Sequence, residues 1–234
     1  VTERAIALTP AEARAASPAL LRKYDRVYVG SSFCQNLLPE AEDLRRLRAA
    51  GARAVTLVTP LLTGAGLERA AALVRAALRG ERRLEVSVND LGLLELLRRR
   101  YAGRVVPLLG RPVSRDFARM DPAFLRGFFR HYGIKLLETD EENIGGILPA
   151  AGLRLAFHYP YCCLAFTRLC PQPGSARDAC RRPCGPETAL LGPAGEKLTL
   201  RGNAYFIGNK PPRLAAVRRL VYTPPAGPAS EIRP

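Results

Sequence analysis

Arg53-Ala-Val-Thr-Leu-Val58, the helical run Gly66–Arg79, Leu84-Glu-Val-Ser-Val88 and a second helical run ending at Tyr101 form the stretch on which the fold turns. The two short runs are aliphatic and β-branched. The two longer ones are amphipathic at helical spacing, and Asn89 or Asp90 supplies the N-cap of the second. Strand, helix, strand and helix in immediate succession demand parallel strands joined by right-handed crossovers.

The same alternation continues in both directions. Toward the N-terminus come a helix from Pro39 to Ala50, acidic at its start (Glu40, Glu42, Asp43) and basic after it (Arg45, Arg46, Arg48), then the strand Arg26–Gly30. Before these, a helix from Pro10 to Lys23, capped by Thr9, follows the strand Arg4–Leu8. Toward the C-terminus, Arg104–Leu108 reads as a fifth strand. Asp121-Pro122, an N-cap with Pro at the first helical position, opens a helix to Tyr132. Ile134–Glu138 is a sixth strand, and Thr139-Asp-Glu-Glu142 starts a short helix ended by Gly145-Gly146. Leu153–His158 is a seventh strand, and Arg219–Thr223 supplies an eighth.

This order predicts an α/β chain with a (β/α)8 TIM-barrel-like fold, with room for incompleteness or distortion after strand seven, where a Cys- and Pro-rich insertion occupies residues 159–193. An open doubly wound sheet is the alternative. Residues 1–223 read as one barrel-like domain and 224–234 as a flexible tail. No Gly-x-Gly-x-x-Gly or Walker pattern follows an early strand, which argues against a nucleotide-binding domain. No stretch is apolar enough for a membrane span. The first residues carry no secretory signal, so a cytoplasmic, reducing setting is expected.

The 234-residue chain carries a net charge of +15, with 47% hydrophobic and 24% charged residues. That composition excludes disorder as the main state. A basic excess can mark a nucleic-acid partner. Here 32 of the 36 basic residues are Arg and only 4 are Lys, and they are scattered along predicted helices, which favours a compositional bias. The run Arg98-Arg99-Arg100 closes a helix, where cations suit the dipole. An anionic small molecule suits either reading.

The six cysteines are Cys34, Cys162, Cys163, Cys170, Cys180 and Cys184, five of them within 23 residues. In a reducing setting such clustering favours a metal over disulfides. From Cys163 the spacing is C-x6-C-x9-C-x3-C, too loose for a zinc ribbon, with Pro171, Pro173, Gly174 and Pro183 between the thiols. Such a loop is not expected to form regular structure, and a thiolate-bound metal would hold it. Cys34 follows strand two and the loop follows strand seven, so a parallel barrel places both on its C-terminal face. One centre can then draw on Cys34 together with Cys170, Cys180 and Cys184. Zinc at a structural site and unrelated buried or redox cysteines are the alternatives.

Cys163-Leu-Ala-Phe-Thr-Arg-Leu-Cys170, Asp178-Ala-Cys180-Arg-Arg-Pro-Cys184 and Tyr28-Val-Gly30-Ser-Ser-Phe-Cys34 together resemble the cysteine segments of the collagenase-like peptidase family of unknown catalytic type, closest to its UbiV-like iron–sulfur branch. The resemblance implies a barrel-like fold and a [4Fe-4S] cluster on Cys34, Cys170, Cys180 and Cys184, with Cys163 the rival fourth ligand. It also implies oxygen-independent hydroxylation in ubiquinone-type biosynthesis, beside a sister iron–sulfur protein. The family's peptidase signature is broken: Leu155 stands where Glu is expected, Pro160 where Gly is expected, and Arg168 where another Gly is expected. Peptidase activity is therefore not expected.

Further candidates sit at the predicted strand ends. Glu138, Asp140 and His158 are possible acid–base groups. Arg111 and Arg115, after strand five, suit a carboxylate. Asn89 and Asp90, and Glu138 to Asp140, have helix capping as the competing role, and His131 reads as a late-helix surface residue. An RNA-modifying relative and a structural zinc protein stand as alternative functions.

Overall fold

The structure, a computed structural model, describes residues 2–117, 119–141, 152–168, 170–171, 180, 184, 187–192, 195–213 and 215–225. Its first seven strands are β1 (Glu3–Leu8), β2 (Arg26–Gly30), β3 (Val55–Val58), β4 (Leu84–Val88), β5 (Val105–Leu109), β6 (Leu136–Thr139) and β7 (Arg154–Tyr159). Four more follow, β8 (Tyr161–Phe166), β9 (Thr188–Leu191), β10 (Lys197–Arg201) and β11 (Ala204–Gly208), before β12 (Val217–Tyr222). The helices are α1 (Pro10–Ala15), α2 (Pro18–Leu21), α3 (Ala41–Ala49), α4 (Gly64–Ala77), α5 (Leu91–Tyr101), α6 (Arg111–Phe117) and α7 (Pro122–Tyr132).

Strand β1 pairs in parallel with β2 on one side and with β12 on the other, which closes an eight-stranded barrel in the order β1-β12-β7-β6-β5-β4-β3-β2. Closure excludes the open sheet. Strand β12 fills the eighth place (Val217↔Leu155, Glu3↔Arg219), and its register shift between Val217 and Arg219 is a distortion after strand seven. Among the described residues no helix is long and apolar enough to cross a membrane. The expected short helix falls mostly on 142–150, and the tail on 226–234; both lie outside the described residues, as does Asp178.

Local chemistry sets the helix ends. Thr9 and Glu12 form a capping box at α1: Thr9 Oγ1 accepts from Glu12 N at 3.3 Å, and Glu12 Oε2 accepts from Thr9 N at 2.7 Å. The single helix expected over Pro10–Lys23 is broken into α1 and α2, because Pro18 disfavours helical backbone at Ser17, whose Oγ then caps α2 by accepting from Leu20 N at 3.2 Å. Asp90, rather than Asn89, caps α5. At α7, Asp121 caps ahead of Pro122, and Gly133 ends the helix at φ 68°. Helix α6 follows β5 directly, ahead of α7.

The insertion is not irregular throughout. Strands β8 and β9 lie inside it, β10 and β11 beyond it, and the four pair antiparallel in the order β8-β11-β10-β9. The absence of regular structure expected of the loop from Cys163 to Cys184 is corrected at its start: Tyr161-Cys-Cys-Leu-Ala-Phe166 is a β-former that needs only a neighbour, and β11 supplies it.

The main core lies between strands and helices, with Ile6, Val27, Leu57, Val86, Leu93 and Leu97 fully buried or nearly so. A second cluster, Ala5, Tyr28, Val58, Ala156 and Val221, fills the barrel interior, the two alanines leaving room for the Tyr28 ring. The N-terminal end of the interior is plugged by charge. Arg219 meets Glu3 at 2.5 Å, Glu85 at 2.8 Å and the Tyr28 hydroxyl at 2.6 Å, while Arg26 meets Glu3 at 2.7 Å. Two cations and two anions balance, as buried charges require.

Candidate functional site

The C-terminal end of the barrel is built to present Cys34. Gly30 ends β2 at φ +128°, and a Cβ there would sit 2.4 Å from the Val58 carbonyl oxygen, so only glycine lets the chain leave the barrel at this point. Ser31 Oγ then accepts from the backbone N–H of Phe33 and of Cys34, both at 3.1 Å, which fixes the turn. Residues Gln35–Leu37 form a 3-10 turn, and Gln35 Oε1 accepts from Thr63 N at 2.9 Å, anchoring the loop to the start of α4.

Cys34, Cys170, Cys180 and Cys184 line one cavity of about 150 Å3, walled also by Phe33, Leu37, Leu61 and Arg168. Cys34 and the three distant cysteines are thereby brought together. Burial pushes the Cys34 thiol above its ordinary value, and Cys184 and Cys180 add to the effect. Among the described residues no three His, Cys, Asp or Glu side chains are grouped closely enough to hold a metal ion as they stand. The donor chemistry nevertheless fits a thiolate-bound centre: four soft ligands around one partly apolar cavity suit iron–sulfur or zinc. A thiol must lose its proton to bind a metal, so uptake at such a site would release protons.

Cys162 and Cys163 lie apart from that cavity, on β8. The Cys163 N–H donates to Asp140 Oδ2 at 2.9 Å, and its side chain packs against Ala204 and Phe206. Burial is the first cause that pushes Cys163 up to about 12 and Cys162 up to about 11, with Asp140 adding to both.

A larger cavity of about 350 Å3 opens at the barrel mouth, between Leu8, Tyr28, Val58 and the inner side of the second sheet at Tyr161 and Phe206. It shares Phe33, Leu37, Cys184, Gly202 and Asn203 with the cysteine cavity. Arg111 and His158 reach into it. The Arg111 guanidinium lies over the Phe33 ring at 5.1 Å and pairs with Asp140 at 3.3 Å, while its Nε is buried without a partner. His158 is 2% exposed, stands edge-on to Tyr28, and places Nε2 3.4 Å from Glu138 Oε2, yet neither ring nitrogen makes a hydrogen bond. Burial and then Arg111 pull its pKa below the ordinary value, against the opposing pull of Glu138. Glu138 is fully buried inside the barrel; Ser87 Oγ donates to its Oε2 at 3.0 Å, and Oε1 has no partner.

The remaining candidates have structural places. Asp140 braces the start of β8 against Arg111. Arg115 turns away from the mouth, pairs with Glu141 and donates to the carbonyls of Cys163 and Leu164. Asn89 is buried, donating to the Thr59 carbonyl at 2.8 Å, and Asp90 accepts from Leu93 N and Leu62 N. His131 is exposed late in α7. The sequence reading missed Asn209, whose Nδ2 donates to the carbonyls of Asp140 at 2.8 Å and His158 at 3.0 Å, tying the second sheet to the barrel. It also missed the hairpin β10–β11, although Gly202-Asn203 between two β-rich runs is a two-residue turn signal.

No family model matches the chain, and no curated protein does. A solved dipeptide epimerase from Methylococcus capsulatus, complexed with Mg ion, is similar over 67% of this chain and 48% of its own, at 17% identity and a TM-score of 0.36. This chain thus spans about half the length of that protein. At that identity and score the likeness brings over neither the epimerase activity nor the magnesium.

Proposed function

We propose that this chain is an iron–sulfur protein, with a [4Fe-4S] cluster held by Cys34, Cys170, Cys180 and Cys184, serving an oxygen-independent hydroxylation of the ubiquinone-biosynthesis kind beside a sister iron–sulfur protein. The observation that carries the reading is the common cavity, lined by a barrel cysteine and by three cysteines more than 130 positions away. The cavity shares five residues with the barrel mouth, so a redox centre there would stand beside a space large enough for a small organic molecule. When bound, the cluster would supply one-electron chemistry. The chain's own residues supply the rest: Phe33 and Tyr28 offer aromatic walls, and Arg111 and His158 line the same space, the first as a guanidinium suited to an anion and the second as an imidazole whose pKa burial lowers. A thiolate-bound cluster also suits a reducing, cytoplasmic setting.

The test is anaerobic purification followed by iron, acid-labile sulfide and zinc quantification, on the parent chain and on each Cys→Ala variant. Iron and sulfide in equal amounts, lost in Cys34→Ala, Cys170→Ala, Cys180→Ala and Cys184→Ala and kept in Cys162→Ala, is the expected result. Zinc without sulfide would turn the site into a structural one. A cluster lost in Cys163→Ala and kept in Cys34→Ala would move the fourth ligand to Cys163.

A further inference from the structure

The two halves of the four-thiol cavity hang from different parts of the fold, and one side chain bridges them. Cys34 belongs to the loop after β2. Cys170, Cys180 and Cys184 lie between β8 and β9. Asn203 sits in the two-residue turn between β10 and β11, where Arg201 pairs with Ala204 and Gly202 takes φ +62°. It is 6% exposed. Its Nδ2 donates to the Phe33 carbonyl at 2.9 Å and to the Thr167 carbonyl at 2.6 Å. Phe33 immediately precedes Cys34, and Thr167 lies just past β8, three residues before Cys170. The Asn203 carbonyl accepts in turn from Thr167 N at 2.9 Å.

We infer that Asn203 is a positioning residue, the clamp that keeps the barrel's Cys34 and the cysteines carried by the second sheet facing each other across their cavity. The inference rests on reading those four cysteines as one site. Both hydrogens of the Asn203 amide are committed, one to each half, so neither half can shift without breaking a hydrogen bond of this largely buried side chain. Only an amide serves here. A carboxylate of the same shape would turn acceptor oxygens toward two carbonyl oxygens and would lose both bonds. A natural control lies at the other end of β11. Asn209 also donates two side-chain hydrogen bonds from the sheet to the barrel, but to Asp140 and His158, away from the cysteine cavity.

The experiment uses the whole chain, reduced and metal-free, and the short bifunctional thiol reagent dibromobimane. Bridged peptides are identified by mass spectrometry. The parent should bridge Cys34 to Cys170, Cys180 or Cys184. Asn203→Asp should slow that bridging at least tenfold, and Asn203→Ser, which keeps one hydroxyl donor, should fall between the two. Asn209→Asp should stay within twofold of the parent, which a general loosening of the sheet would not allow. Near-ultraviolet circular dichroism shows which variants are folded, and Asn203→Ser carries the test if Asn203→Asp is not. Parental bridging in a folded Asn203→Ser or Asn203→Asp chain overturns the inference. A parent that never bridges Cys34 to the other three overturns it together with the shared site. Bridging that depends on Asn203 in a chain that takes up no iron upholds the clamp and removes the cofactor reading alone.

Discussion

Replacing Asp140 by Asn tests how the second sheet is held at the barrel mouth. Asp140 accepts from Cys163 N at 2.9 Å and pairs with Arg111 at 3.3 Å, the two side chains being 5% and 9% exposed. At that burial the value of a surface ion pair, about 0–1 kcal/mol, does not apply. Breaking a buried pair from one side costs roughly 3–5 kcal/mol, because the partner charge is left uncompensated. Asn keeps the shape and one acceptor oxygen, so the bond from Cys163 N survives, and the expected loss is about 2–3 kcal/mol. In a chain of this size that is a fall in Tm of roughly 5–10 °C. Urea unfolding of the parent, Asp140→Asn, Arg111→Met and the double variant measures it. Arg111→Met removes the charge that Asp140 neutralises, so the double variant should lose clearly less than the sum of the singles, with a coupling of about 1 kcal/mol or more. Single losses below about 0.5 kcal/mol, or strict additivity, would refute the clamp between β8 and α6.

Three other outcomes are expected. Gly30→Ala should cost roughly 2–5 kcal/mol in urea unfolding, since its Cβ meets the Val58 carbonyl and its φ is +128°; a loss under about 1 kcal/mol would show that β2 ends differently. Cys162, pushed up to about 11, should react with iodoacetamide at pH 8 about 10- to 20-fold more slowly than an ordinary thiol; its thiolate is about 100-fold scarcer and only partly offset by greater nucleophilicity, and an ordinary rate would contradict its burial beside Asp140. His158 should titrate below 6.5 in imidazole 15N spectra, where His131→Asn removes the only other histidine signal. With the folded value depressed, its contribution to stability is complete above 6.5 and is lost as pH falls through the lower folded value. His158→Asn should therefore flatten that acid slope, and an unchanged slope would sink the assignment.

The barrel was legible in the chain because its signals are local. Period-two and helical runs, the Thr9 cap and Asp121 with Pro122 each act within a few residues, and their succession leaves parallel closure as the economical arrangement. The break at Ser17-Pro18 was equally local and was overlooked, as was the Gly202-Asn203 turn. The site is a different matter. Arg111 and Arg115 are one helical turn apart, yet one lies over Phe33 in the mouth and the other holds carbonyls of β8. Nothing in their own neighbourhood distinguishes them; the packing of the second sheet does. Glu138 reads in sequence as a strand-end carboxylate able to cap, and only the register of β6 turns it into the barrel toward Ser87 and His158, 51 and 20 residues away. The four cysteines carry the chemistry of a thiolate site in their residue type alone. That Cys34 shares a cavity with the other three depends on β8 leaving the barrel beside β7 and on Asn203 reaching Phe33 across 170 residues, contacts that no local propensity encodes.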